Sequence, residues 1–179
     1  QALRIEGDNG AGKTSLLRLV AGLAWPSAGA VRWRGAPIQS QREAYARELL
    51  YLGHAPALKD DLTALENLRA NTSLASDAID DHALRDALER WGLGAALRLP
   101  VRALSAGQRR RAALARTLVS EARLWLLDEP FTALDAAACE QLGRSIERHI
   151  ERGGLALITS HQALPAMGPG GRFVFLSSS

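Results

Sequence analysis

Apolar positions along the chain alternate between the spacing of strands and that of helices. The run ALRI at 2–5 predicts a buried strand, and the pattern after it predicts a helix over 13–23. The inward positions of that helix are Leu16, Leu17, Leu19, Val20 and Leu23. Alternation in AVRWRG at 30–35 predicts an edge strand, and LLYL at 49–52 predicts another strand.

Strand patterns disappear between about residues 62 and 100. Leu65 and Leu68 predict one helix, while Leu84, Leu88 and Trp91 predict a second helix that stops at Gly92. Alternation then returns, with helices predicted at 108–119 and 136–151 and strands at 124–127, 155–159 and 172–176. The pattern predicts a single α/β domain over 1–179, in which 1–61 and 104–179 form the core and 62–103 a helical subdomain.

Composition and the chain start limit the function classes. The chain begins inside a strand-like run with no element before it, so we expect the N-terminal strands of the domain to be missing from this fragment. A net charge of +3 is far from the clustered basicity of a nucleic-acid binder, so no direct nucleic-acid contact is expected. Cys139 is the single cysteine and fits a reducing compartment. No apolar run reaches the roughly 20 residues that span a bilayer.

The segment GDNGAGKTS at 7–15 is a glycine-rich loop between a predicted strand and a predicted helix. It matches the phosphate-binding pattern G-x-x-x-x-G-K-[ST] in the context that this pattern requires. Lys13 is expected to reach the β- and γ-phosphates of a nucleotide, and Thr14 or Ser15 to help hold Mg²⁺. The candidate nucleotide-binding residues are Gly7, Asp8, Asn9, Gly10, Ala11, Gly12, Lys13, Thr14 and Ser15.

The segment RLWLLDEPF at 123–131 places two carboxylates after an apolar strand. Asp128 lies where a P-loop enzyme has its metal-binding acid, and Glu129 is the candidate base for an attacking water. Paired acids at a strand end are often only a solvated turn, but the phosphate loop upstream favours the catalytic interpretation.

The segment LSAGQ at 104–108, followed by a helix and then by Asp128 and Glu129, resembles the signature of the ATP-binding cassette (ABC) ATPases. The resemblance covers essentially the whole chain and implies a P-loop core with a helical insertion lobe, binding ATP and Mg²⁺. It implies a head-to-tail homodimer with two sandwiched ATPs, in which Ser105, Gly107 and Gln108 complete the site of the other copy. The family's adenine-stacking aromatic residue would precede this fragment.

Three further positions carry roles that the resemblance implies. Asp135 in ALD at 133–135 resembles the loop that links the two sites of the dimer, and His161 resembles the switch histidine that touches the γ-phosphate. Most ABC ATPases have a glutamine that contacts metal and water where this chain has His54. An imidazole can still accept a hydrogen bond from water or bind a metal, although the histidine side chain is shorter than that of glutamine. Packing in the turn before Pro56 is the alternative for His54.

Residues 51–68, YLGHAPALKDDLTALENL, resemble the haem-export ATPases of bacterial cytochrome c maturation. This resemblance implies a peripheral ATPase at the cytoplasmic face of the inner membrane, coupled to the integral subunits of the haem exporter, with haem not bound directly. Alternatives are the ATPase of another exporter, for drugs, lipids or peptides, and a soluble ABC ATPase acting on nucleic acid or ribosomes. His82 and His149, on predicted helices, are interpreted as solvated.

Overall fold

The computed structural model describes residues 1–8, 10–72 and 79–160, together with the backbone of 171–175. The chain divides into two compact units. Gln1–His54, Ala122–Pro130 and Glu147–Ser179 form the first, which we call the sheet unit; Ala55–Glu121 and Phe131–Ile146 form the second, the helical unit. The predicted segment 62–103 lies within the helical unit, which also takes in 55–61, 104–121 and 131–146, residues that the sequence analysis assigned to the core.

Strands and helices alternate through most of the chain. The strands are β1 Ala2–Glu6, β2 Arg32–Trp33, β3 Ala36–Pro37, β4 Leu49–Leu52, β5 Leu124–Asp128, β6 Leu155–Thr159 and β7 Gly171–Phe175. The helices are α1 Lys13–Val20, α2 Arg42–Arg47, α3 Ala64–Thr72, α4 Asp81–Arg90, α5 Ala106–Leu114, α6 Arg116–Val119 and α7 Ala136–Glu151. Single 3₁₀ turns occur at Ile38–Gln41, Gly94–Ala96 and Val101–Ala103.

A parallel five-stranded sheet, in the order β4-β5-β6-β1-β7, forms the centre of the sheet unit. Its register pairs Leu52 with Leu127 and Asp128 with Thr159, so the strands end together at one edge. Helix α1 packs Leu17, which is fully buried, onto the sheet. The core around it consists of Ile5, Leu17, Ile38, Tyr45, Leu124 and Leu126. Since parallel strands share one direction, the carboxyl ends of β1, β4, β5 and β6 all lie at the same edge of the sheet.

Helix α1 is shorter than predicted. It ends at Val20 because Gly22 has a φ of 72°, and the amides of Gly22 and Leu23 donate back to the carbonyls of Leu19 and Arg18 at 3.0 and 2.9 Å. This glycine-terminated end turns Leu23 outward, where it is 58% exposed. The predicted inward position of Leu23 is therefore wrong.

The predicted edge strand at 30–35 is also different. Only Arg32–Trp33 is strand, and it pairs antiparallel with Ala36–Pro37 in a separate two-stranded sheet. Arg34 and Gly35 have φ values of 50° and 83°, so a tight turn reverses the chain there. The run AVRWRG is thus half of a short hairpin and does not border the main sheet.

Within the helical unit, α3 and α4 bury Leu65, Leu68, Leu84 and Leu88, as their spacing predicts. Trp91 is 1% exposed, and Gly92 after it has a φ of 72°. The helix predicted at 108–119 is two helices, because α5 ends at Leu114 and α6 begins at Arg116. It also begins two residues earlier than predicted, at Ala106.

Candidate functional site

The loop between β1 and α1 has the backbone that a phosphate-binding loop needs. Gly10 and Gly12 have φ values of 87° and 88°, a left-handed conformation that other residues adopt at a cost. A Cβ at either position would meet nothing within 4 Å, so the backbone angle, not crowding, favours glycine. Gly12 is the N-cap of α1, so the first amides of this helix, which have no partner within the helix, point towards the loop. Asn9, a predicted nucleotide contact, lies outside the described residues.

Lys13 is held over its own loop. Its ammonium Nζ donates to the carbonyl oxygens of Gly7 and Asp8 at 2.6 and 2.8 Å, and the residue is only 7% exposed. Two backbone carbonyls therefore compensate a nearly buried charge. The ammonium group lies beside the N-terminus of α1, so the charge of Lys13 and the partial positive charge of the helix dipole both favour an anion bound there.

A chain of hydrogen bonds joins three elements at the edge of the sheet. Thr14 on α1 donates from Oγ1 to Asp128 Oδ2 at 2.8 Å, and Thr159 at the end of β6 donates to Asp128 Oδ1 at 2.7 Å. Thr159 Oγ1 in turn accepts from the backbone N–H of Glu129 at 2.9 Å. Asp128 and Thr159 are 1% and 0% exposed. Both carboxylate oxygens of Asp128 are thus fixed by hydroxyl groups.

Glu129 follows β5 in an uncommon conformation. Its φ of 48° is in the left-handed region, which costs a non-glycine residue of order 1–3 kcal/mol. The hydrogen bond from its N–H to Thr159 helps to hold this turn. Such strain at the end of a central strand, beside a buried carboxylate, is typical of a functional site.

Thr159 is the residue that the sequence analysis did not identify. It ends β6 opposite Asp128 in the register and contacts both Asp128 and Glu129. The available signal was a hydroxyl at the carboxyl end of a buried strand, in LALITS. Alone, that signal does not separate a site residue from an ordinary strand end.

The segment around Ser105 has a helix-capping role in the helical unit. The Ser105 hydroxyl accepts from the N–H of Gln108 at 3.2 Å, and Gln108 Oε1 accepts from the N–H of Ser105 at 2.9 Å. This reciprocal pair starts α5 and explains why the helix begins before Gln108. Ser105 itself is exposed, so its hydroxyl hydrogen can still donate to a ligand.

Gly107 and Asp135 are both placed by backbone contacts in this unit. A Cβ on Gly107 would lie 3.3 Å from the carbonyl oxygen of Ala133, so glycine permits a close approach there. Ala133 has a φ of 63°. Asp135 Oδ1 accepts from the N–H of Ala138 at 2.8 Å and so caps α7.

Of the predicted histidines, His54 is exposed and lies in a bend directly after Gly53. His161 lies outside the described residues. Ser15 is exposed on the first turn of α1, next to Thr14. The sheet unit therefore brings together Lys13, Thr14, Asp128 and Glu129, whereas Ser105, Gly107, Gln108 and Asp135 belong to the helical unit.

His149 is not solvated, contrary to its interpretation from the sequence. Its ring stacks on Trp125 with centroids 4.0 Å apart and planes 8° apart, and its Nε2 is 3.1 Å from the Leu155 carbonyl oxygen. A Cβ on Gly154 would come within 2.3 Å of this ring, which only a glycine avoids. Burial lowers the pKa of His149. The side chain of His82 is 79% exposed, as predicted.

The described residues contain neither a cluster of metal ligands nor a membrane-spanning helix. Within 1–8, 10–72 and 79–160, no three His, Cys, Asp or Glu side chains cluster as a metal site would require. Over the described part of the chain, no helix combines the length and the apolar character needed to cross a bilayer.

Comparison with known proteins gives a consistent result. A family model described as "ABC transporter" matches residues 1–132. The "Cytochrome c biogenesis ATP-binding export protein CcmA" of Aromatoleum aromaticum is 56% identical over 164 residues, which cover 91% of this chain and 77% of that protein.

Solved structures show the same fold. A putative ABC transporter ATP-binding protein from Pyrococcus furiosus has a TM-score of 0.81 at 26% identity, covering 98% of this chain and 84% of that one. A bacterial ABC transporter cassette, solved as a dimer, has a TM-score of 0.85 at 23% identity, covering 99% and 81%. The predicted α/β cassette fold is confirmed by these matches and by the parallel sheet.

Proposed function

The chain belongs to the ABC transporter family of ATP-binding proteins, and from this premise we propose that it hydrolyses ATP to drive a membrane export complex. The observation that carries the proposal is the hydrogen-bonded chain from Thr14 through Asp128 and Thr159 to Glu129, directly beside Lys13 and its loop. This arrangement joins a phosphate cradle to two carboxylates within one unit.

ATP binding uses groups that are already in position. Lys13 would exchange the carbonyls of Gly7 and Asp8 for the β- and γ-phosphate oxygens, while the first amides of α1 donate to the same anion. The left-handed glycines at 10 and 12 keep the loop's amides accessible. The charge of Lys13 and the N–H groups of the loop would together hold the γ-phosphate near the carboxylates of Asp128 and Glu129.

The Thr14 hydroxyl and the Asp128 carboxylate fit a magnesium ion. Both groups supply oxygen ligands, and Thr14 Oγ1 lies 2.8 Å from Asp128 Oδ2. In nucleotide sites, Mg²⁺ binds one or two protein oxygens together with phosphates and waters. When bound, Mg²⁺ neutralises charge that develops on the phosphates.

Glu129 is the proposed general base, which accepts a proton from the water that attacks the γ-phosphate. Its backbone is held by Thr159, so its position relative to Asp128 is fixed. By resemblance to the family, His54 would contact this water or the metal in place of the usual glutamine, and His161 would sense the γ-phosphate. We propose these roles for His54 and His161 from their positions relative to the sequence motifs of the family.

A head-to-tail homodimer completes the proposed site. Ser105, Gly107 and Gln108 at the start of α5 would bind the γ-phosphate held by the other copy, because the N-terminus of a helix carries a partial positive charge that attracts an anion. Asp135, which caps α7, would link the two sites. The bacterial cassette of the same fold that was solved as a dimer supports a dimer here, and the head-to-tail arrangement of the two copies is part of the proposal.

The exported substrate class follows from the relatives. The protein of Aromatoleum aromaticum is named for cytochrome c biogenesis and export, so we place this chain in haem export or release for cytochrome c maturation. It would sit at the cytoplasmic face of the inner membrane, bind no haem itself, and act through integral subunits that its helical segment 62–103 contacts.

Native purification tests this proposal. Tagged protein extracted from its own membranes is expected to retain integral subunits of the cytochrome c maturation system, identified by mass spectrometry, and to hydrolyse ATP. A tagged Lys13→Ala variant controls for the need for bound nucleotide. Recovery of the membrane subunits of a drug, lipid or peptide exporter would contradict the haem assignment while leaving the ATPase assignment intact.

A further inference from the structure

Arg109 on α5 hydrogen-bonds to the backbone just before Ser105. The Arg109 guanidinium donates from Nε to the Leu104 carbonyl at 3.2 Å and from Nη2 to the Arg102 carbonyl at 3.0 Å. Its Nη1 lies 3.2 Å from Asp60 Oδ1. A guanidinium presents its donors in a rigid planar fork, so these three contacts together define one position of the loop.

Asp60 belongs to a segment that is itself firmly held. The backbone N–H of Val101 donates to the Leu62 carbonyl at 2.9 Å, and that of Arg102 donates to the Asp60 carbonyl at 3.0 Å. Asn67 on α3 is 2% exposed and bonds the same segment through both its amide atoms. The carbonyls that its Nδ2 contacts are those of Lys59, Leu62 and Thr63. Asp60 thus offers Arg109 a fixed partner.

We propose that Arg109 is a positioning residue for the ATP contact of Ser105 and Gly107. It fixes the carbonyls of Arg102 and Leu104, on the chain that leads to Ser105, and ties them to the segment that follows His54. This inference rests on the proposed function, because the contact that it positions is the one to ATP. The ion pair between Arg109 and Asp60 is partly exposed and contributes little energy by itself. The hydrogen bonds from the guanidinium to the two carbonyls therefore hold the loop in position.

Neighbouring residues supply a matched control. Arg102 forms an ion pair with Asp61, and its guanidinium has no described contact with Leu104. Arg102→Gln therefore removes an exposed arginine–aspartate pair in the same loop and leaves the fork in place. Arg109→Gln removes the fork and the pair, whereas Arg109→Lys keeps a charge near Asp60 but cannot span both carbonyls.

Amide hydrogen exchange without nucleotide is the first measurement. The N–H groups of Leu104, Ser105 and Gln108 all donate hydrogen bonds within the segment. Their exchange is expected to rise about tenfold in Arg109→Gln and Arg109→Lys, and to stay at the wild-type rate in Arg102→Gln. Steady-state kinetics is the second: the KM for ATP should rise about tenfold in both Arg109 variants, with a smaller change in kcat and with no change in Arg102→Gln.

The outcomes are distinct. Equal exchange rates in the Arg109 variants and Arg102→Gln would overturn the inference whether or not the protein hydrolyses ATP. Faster exchange with an unchanged KM would overturn the link to ATP and leave Arg109 as a structural residue only. Wild-type protein that neither binds nor hydrolyses ATP would overturn the proposed function, and with it the role towards ATP, even where exchange rises.

Discussion

Thr159 shows how much of the site depends on a single hydroxyl. It donates to Asp128 and accepts from the N–H of Glu129, so it couples the proposed metal-binding acid to the proposed base. Because Glu129 has a left-handed backbone, loss of this bond would release a strained turn as well as a carboxylate.

We therefore expect Thr159→Val, which keeps the shape of the side chain, to lower kcat about 10- to 100-fold, as other residues that orient ligands do. Unfolding free energy should fall by about 1–3 kcal/mol, since the buried Asp128 oxygen and Glu129 N–H lose a partner. Thr159→Ser retains the hydroxyl and serves as the control in ATPase and urea-unfolding assays. A Thr159→Val enzyme as active as Thr159→Ser would contradict the coupling.

His149 should make stability depend on pH. Burial lowers its pKa from the usual value of about 6.5, so the folded ring stays neutral where the unfolded ring takes up a proton. Unfolding free energy should consequently fall as pH drops from 7 through 6.5 towards the lowered pKa, with the full stability present above pH 7. In urea unfolding at pH 7.5 and 5.5, His149→Phe keeps a ring on Trp125 and should lose less stability on acidification than wild type.

His82→Gln, which changes an exposed ring, is the control and should keep the wild-type dependence. An acid-induced loss of stability in His149→Phe equal to that of wild type would show that His149 does not titrate as its burial implies.

Single residues were predictable where a motif places them. Lys13, Thr14, Asp128 and Glu129 follow from the phosphate loop and the acid-terminated strand, and the sheet register brings them together. Thr159 and His149 depend on partners more than twenty residues away in sequence, Asp128 and Trp125, which no local pattern identifies.

At the scale of elements, the start of α5 combines a structural and a proposed binding role. Ser105 caps the helix through its oxygen, and the same group is the proposed contact with the phosphate of another copy. The two roles can be separated, because a carboxylate also caps a helix but repels a phosphate.

Ser105→Asp should accordingly keep stability near wild type while losing most ATPase activity. Ser105→Ala, in contrast, should lower unfolding free energy by about 1 kcal/mol through loss of the cap. Thermal or urea unfolding together with ATPase rates separates the variants. A fully active Ser105→Asp protein would mean that Ser105 caps the helix and has no part in ATP binding.

Element bounds were predictable where apolar runs have sharp limits. The predicted β4, α7 and β6 have the observed bounds, and β7 is displaced by one residue. Helix α2 was not predicted, because in a six-residue helix only Tyr45 is buried and no period is visible. The helix starting at Ala106 was placed late, although S-x-x-Q at 105–108 is a capping-box pattern that marks its start.

At the scale of the whole molecule, the chain passes between the two units at positions next to proposed site residues. The sheet unit ends at His54, and it ends again at Pro130, directly after Glu129. The loss of strand patterns after residue 62 predicts a helical segment at 62–103, which is only part of the helical unit. Residues 131–146 join that unit through tertiary contacts, which no local pattern shows.

The central claim is that Glu129 activates water in an ATP-sandwich dimer, and Glu129→Gln tests it most directly. The amide should keep ATP binding but stop hydrolysis, so the variant should become dimeric by light scattering when Mg²⁺ and ATP are added and should remain so. Wild type should return to monomer as ATP is consumed, and Lys13→Ala should not dimerise. Hydrolysis at the wild-type rate by Glu129→Gln, or a variant that binds ATP and stays monomeric, would contradict the account.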